Sequence, residues 1–151
     1  MRLPLRATAA CCFGLLHAYA VPFAAADAAR SSPTGEQRIW MSFGERRLPI
    51  TLADNVAARS FAAQLPLTLD MPDLNGNEKH AKLPKALPQG PTKPGTIHTG
   101  DLMLWGANTL VVFYVTFESP YQYTRLGVIE DSVSLDQALG KGTAKLTFSR
   151  D

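Results

Sequence analysis

From residue 38 to the C-terminus, apolar and polar positions alternate in short runs. In "RIWMSF" (38–43), Ile39, Met41 and Phe43 share one face, and Arg38 and Ser42 share the other. After Gly44-Glu45 the pattern resumes, with Leu48, Ile50 and Leu52 against Arg47, Pro49 and Thr51. Two period-two runs around a glycine turn predict a β-hairpin. Pro49 has no amide to donate, so it marks an edge or a bulge in its strand.

"DNVAARSFAAQLP" (54–66) changes period, with Ala57, Phe61 and Leu65 recurring on one face of a helix. Asp54 is the expected N-cap, because its carboxylate can accept from the free amides of the first turn. Pro66 ends the helix. Alternation returns in "LTLDM" (67–71), Asn75-Gly76-Asn77 signals a turn, and "EKHAKL" (78–83) follows as a short strand. Pro84, Pro88, Pro91 and Pro94, with Gly90 and Gly95, make 84–95 a long loop without regular structure. Strands are expected at 101–105 and 109–117, around a turn at Gly106-Ala107-Asn108, and again in "TRLGVI" (124–129). "SVSLDQALG" (132–140) reads as a short helix, with Ser132 or Ser134 as cap and Gly140 as stop. "TAKLTFS" (143–149) closes the chain as an alternating strand. Many short strands with two small helices predict a mainly β fold, a closed antiparallel β-barrel.

The first quarter follows different rules. Arg2 and Arg6 precede the almost uncharged, mostly apolar "ATAACCFGLLHAYAVPF" (7–23), and Ala24-Ala25-Ala26 supplies small residues at its exit. A charged start, an apolar middle and a small-residue end describe a secretory signal peptide, here 1–26. Gly14 and Pro22 interrupt the apolar run, which is too short to favour a retained spanning helix. Residues 27–37 then read as a flexible leader and 38–151 as one folded domain. The expectation is an exported protein, periplasmic or secreted, with no membrane association after cleavage.

Cleavage would remove Cys11 and Cys12, leaving no disulfide, no thiolate nucleophile and no cysteine metal site. It would also remove Arg2 and Arg6, so the 15 basic and 13 acidic residues of the whole chain come into balance. With no net positive charge and no basic stripe, nucleic acid is not an expected partner. Only His80 and His98 remain as histidines, and neither has a second histidine nearby, so no metal and no cofactor is expected. There is no G-x-S-x-G elbow and no phosphate-cradling loop. Glu130 and Asp131 are neighbours that a strand would point to opposite faces, and Asp101 after Gly100 suits a turn.

Two patches could still carry chemistry. Glu78, His80 and Lys82 fall on one face of the 78–83 strand, and Lys79, Ala81 and Leu83 on the other. The Glu-His-Lys row has the composition of a solvated face, where an ion pair contributes little. Phe113, Tyr114, Tyr121 and Tyr123 cluster with Arg125 just beyond. Aromatic rings with polar tips line pockets for peptides and small ligands.

Three phrases carry a family resemblance. "LADNVAARSFAAQLPLTLDMPDLNGNEKHAKLP", "PGTIHTGDLMLWGANTLVVFY" and "YTRLGVI", in that order, strongly resemble the small bacterial cyclophilin-like proteins, over about Arg38 to Phe148. The resemblance implies a closed antiparallel barrel with helices covering its ends. Prolyl isomerase activity is not implied with it. Cyclophilins carry a phrase close to F-H-R-x-I-P-x-F-M-x-Q-G-G, whose arginine serves the prolyl amide. The matching stretch here is "EKHAKLPKALPQG" (78–90), which puts His80 or Ala81 at the arginine position and Ala86-Leu87 at the Phe-Met pair, while Gln89-Gly90 keeps the "QG". Elsewhere the resemblance puts Phe113 near a pocket-lining aromatic, Tyr123 near the pocket histidine and Tyr121 in the apolar wall. Phe113, Tyr121, Tyr123, Arg125, Glu78 and His80 are therefore the groove candidates, and no residue is singled out as catalytic. The expected function is binding of an extended peptide, a protein segment or a small-molecule ligand, with little or no catalysis. The alternatives are a weak peptidyl-prolyl isomerase and a small-molecule enzyme that reuses the barrel.

Overall fold

The structure, a computed structural model, describes residues 38–151. The expected signal peptide and leader lie outside the described residues. Strands β1 (Arg38–Phe43) and β2 (Arg46–Leu52) form the expected hairpin, with Met41 opposite Leu48 and Ile39 opposite Ile50. Alternation sends Ile39, Met41, Ile50 and Leu52 into the core. β2 pairs on its other side with β10 (Thr124–Ile129). Pro49 sits where that second ladder runs out. The Glu130 amide donates to the Pro49 carbonyl at 2.8 Å, and the proline has no N–H to return.

Helix α1 (Val56–Ala62) buries Ala57, Ala58 and Phe61, and Phe61 meets Phe148 edge-to-face at 5.6 Å. Its cap is Asn55, one residue later than expected. The Asn55 side chain accepts from the Ala58 amide at 2.8 Å and donates through Nδ2 to the Arg125 carbonyl at 2.8 Å. A carboxylate could do only the first, so the amide takes the cap, and Asp54 forms an exposed pair with Arg59 instead.

β3 (Leu67–Met71) and β4 (Asp73–Leu74) are two halves of one path bent at Pro72. The first half pairs with β11 (Ala144–Ser149) and the second with β5 (Glu78–Lys82). They stand at opposite ends of a nine-stranded antiparallel sheet, ordered β3, β11, β1, β2, β10, β7 (Asp101–Trp105), β8 (Thr109–Phe113), β5, β4. The bend at Pro72 brings the ends together, and the His80 amide donates to the Pro72 carbonyl at 3.2 Å. The result is a nearly closed barrel. The short helix α2 (Leu135–Leu139) packs on it through Leu135 and Leu139. Ser134 holds the cap position with φ of 63°, but its hydroxyl makes no capping bond. Glu130, just after β10, bonds Arg38 at 3.2 Å.

The apolar run beyond Leu110 does not form one strand. β8 stops at Phe113, and the Tyr114 side chain turns into the barrel core. The chain resumes as β9 (Phe117–Ser119), which pairs with β6 (Gly95–Ile97) in a small ribbon that the sequence reading does not anticipate. This ribbon lies over the outer face of the barrel. Strand alternation thus builds two cores. Leu102, Leu104, Leu110 and Val112 point inward, whereas Met103, Val111 and Phe113 point outward and pack with Ile97, Tyr123 and Phe117.

Candidate functional site

The row expected to be solvated is graded, with Glu78 buried, His80 half-buried and Lys82 exposed. Lys79 is fully buried, pointing into the barrel opposite Val112, and Glu78 is only 8 % exposed on the outer face. The Lys79 ammonium has three acceptors: Asp73 Oδ1 at 3.2 Å and the Gly140 and Gly142 carbonyls, both at 2.7 Å. Tyr114 donates its hydroxyl to the same Asp73 carboxylate. That bond, with the Lys79 ammonium, holds Asp73 below the usual carboxylate range. Burial and the Asp73 bond push the Tyr114 phenol up to about 12.

On the outer face, β5 presents Glu78 and His80, β8 presents Val111 and Thr109, and β7 presents Trp105, all in register across the ladder. The loop 120–123 brings Tyr121 and Tyr123 over them. Together with Phe117 and the 74–77 turn they enclose a cavity of about 490 Å³. Its rings form a continuous chain. Phe117 meets Phe113 at 5.7 Å, Phe113 meets Tyr123 at 5.4 Å, Tyr123 meets Trp105 at 5.3 Å, and Trp105 meets Tyr121 edge-on at 5.5 Å. Tyr123 is buried, with its phenol pushed up by burial first and by the Glu78 charge next. Trp105 and Tyr121 stay 45 % and 58 % exposed at the rim. Beyond them lies a more open hollow of about 560 Å³, reaching Gln89 and Lys93.

Four of the six groove candidates therefore meet at one cavity: Glu78, His80, Tyr121 and Tyr123. Phe113 lies beneath it, fully buried, and supports Tyr123. Arg125 shares the outward side of the sheet through its pairing with Met103, but it is drawn away to Asp101 Oδ1 at 3.1 Å. Asp101 also accepts from the His98 amide at 2.9 Å, which is the turn role its position after Gly100 suggested. Of the stretch matched to the cyclophilin phrase, Leu87 enters the barrel core and Ala86 is exposed, so neither lines the cavity.

Sequence reading missed Trp105 and Asn77. Alternation along β7 puts Asp101, Met103 and Trp105 on one face, which was the available signal for Trp105. Asn77, read only as a turn residue, lines the cavity and carries a buried amide oxygen with no hydrogen-bond partner.

The Glu78 carboxyl is the chemically unusual group. It makes no hydrogen bond and no ion pair among the described residues, and burial, followed by the nearby Asp73 charge, raises it to about 7. Among the described residues, neither lysine nor arginine lines the cavity. Among the described residues, no three His, Cys, Asp or Glu side chains come together as a metal site, and no helix is long and apolar enough to cross a membrane.

Comparison with known proteins agrees with this architecture. The model of the cyclophilin-like family matches residues 41–149. No curated protein matches the chain.

Proposed function

From the premise that this chain belongs to the cyclophilin-like family, we propose that it is an exported binding domain, which holds an extended peptide or a small ligand in the outer-face groove with little or no catalysis. The observation that carries this reading is the cavity lining. One wall is aromatic, built from Trp105, Tyr121 and Tyr123, while Glu78 and His80 line the β5 side and no described lining residue offers the guanidinium of a prolyl isomerase. The resemblance to cyclophilins puts His80 or Ala81 at that arginine position. His80 lines the cavity, whereas Ala81 lies on the opposite face of β5, opposite inward-pointing Leu110.

Isomerisation needs a pocket that favours the twisted amide over a barrier of roughly 20 kcal/mol. A planar fork of donors serves that purpose, and an unpaired carboxyl does not. The volume of about 490 Å³ suits a small ligand or a few side chains. The adjoining hollow past Trp105 and Tyr121 extends the groove, which favours an extended ligand. Export rests on the N-terminal charge and hydropathy pattern.

The test is prolyl exchange in a set of X-Pro peptides, measured by NMR with and without the protein, beside Tyr121→Ala and Trp105→Ala. The expected result is no acceleration of exchange, with peptide-induced shifts at Tyr121 and Trp105. Acceleration that both variants abolish would replace this reading with a prolyl isomerase.

A further inference from the structure

Several carboxylates among the described residues are held by partners from the fold. Asp73 has Lys79 and Tyr114, Asp101 has Arg125, Glu130 has Arg38, and Asp70 has Lys145. Glu78 is the buried acid without a partner among the described residues. It is placed at the base of a cavity with an aromatic wall, opposite Phe113 in the ladder. An ionised carboxyl in such a place is costly unless an opposite charge reaches it. Among the described residues, no lysine or arginine in the cavity lining supplies that charge.

We propose that the cavity receives an organic cation, a protonated amine or guanidinium on an apolar stem, with its charge against Glu78 and its stem along Trp105, Tyr121 and Tyr123. The proposal rests on the groove-binding reading and deepens it. Two features converge on this class of ligand. The carboxyl provides an unspent acceptor and a charge. The ring faces favour a cation over a neutral group of the same shape, by an attraction that grows when water is excluded. An anionic ligand would meet Glu78 with no lysine or arginine among the described lining residues to offset it.

Binding should also couple to pH. The ionisable groups facing Glu78 are Asp73 from β4, His80 from β5, Tyr114 at the end of β8, and Tyr121 and Tyr123 from the covering loop. Of these, Asp73 stays ionised throughout the neutral range, and the Tyr114 phenol stays neutral. A cation therefore selects the ionised form of Glu78 and tightens as pH rises through about 7.

The experiment titrates the full chain with the methylamides of N-acetyl-lysine and N-acetyl-arginine, with butylamine, and with the neutral isostere N-acetyl-norleucine methylamide. Trp105 fluorescence reports binding, and Trp105→Phe separates its signal from that of Trp40. At pH 8 the cationic ligands should bind at least tenfold more tightly than norleucine. That advantage should vanish in Glu78→Gln and shrink in the wild type at pH 5. A lysine-containing hexapeptide that exceeds the single residue by tenfold identifies a peptide source, and equality with butylamine identifies a free amine. If norleucine binds as well as lysine, or Glu78→Gln changes nothing, the cation inference falls while the groove-binding reading stands. If no probe of either charge alters Trp105, and X-Pro peptides also leave it unmoved, both fall.

Discussion

Lys79 and Asp73 pair at 3.2 Å across the two short strands of one hairpin, and the ammonium is entirely buried. Its other two protons go to the carbonyls of Gly140 and Gly142, so one side chain ties the start of the β4–β5 hairpin to the loop before β11. Lys79→Met keeps the apolar stem but leaves Asp73 and both carbonyls short of a donor. The expected cost is about 2–4 kcal/mol, read from urea unfolding. A loss below about 0.5 kcal/mol, the size expected of a surface pair, would show that the three contacts carry no net weight.

Glu78 makes stability depend on pH in a defined direction. Its folded-state value of about 7 lies above the ordinary 4.5, so the folded protein holds this proton more tightly than the unfolded chain does. The associated stability is complete below pH 4.5 and is lost as pH rises through 7. Glu78→Gln should therefore match the wild type near pH 4.5 and exceed it by about 1–3 kcal/mol at pH 8. Unfolding curves at the two pH values check this. Equal stability at both would place the carboxyl in water.

Asn55 does two jobs, and two substitutions separate them. Asn55→Asp retains the acceptor for the Ala58 amide and loses the donor to the Arg125 carbonyl. Asn55→Ala loses both. The expected costs are about 1 kcal/mol for the first and about 2 kcal/mol for the second, from thermal unfolding. An aspartate variant as stable as the wild type would remove the bond to β10 from the account.

Gly127 is required by space. A Cβ there would stand 2.6 Å from the Thr51 carbonyl oxygen and 3.2 Å from the Leu52 Cα, both backbone atoms of β2. Gly127→Ala must push two paired strands apart, at a cost of about 2–4 kcal/mol. Calorimetry measures it directly. Unchanged melting would mean that β10 shifts freely at the bulge between Arg125 and Gly127.

The strands and the first helix could be read from the chain because alternation and helical period are local properties. Ile39, Ile50 and Leu146 lie inside for that reason alone. What escaped reading was decided by distant partners. Asp54 and Asn55 are both good caps, and the choice falls to the Arg125 carbonyl 70 residues away. Lys79 falls on the face of Ala81 and Leu83, and the carbonyls that let its ammonium be buried there lie 61 and 63 positions on. The break after Phe113 follows from Tyr114 turning inward to Asp73, which no local pattern signals. At the cavity, Tyr121 and Tyr123 stood out in the sequence as clustered aromatics, whereas the side taken by Arg125 and its capture by Asp101 needed the fold.

The two cores occupy opposite faces of the same strands, with Leu110 and Val112 inward and Val111 outward on β8. Mutational drift can therefore act on the groove and on the barrel separately, one alternate codon at a time. A lineage built on this domain can reshape the groove by exchanging rim residues such as Trp105 and Tyr121, while the inward set keeps the barrel shut.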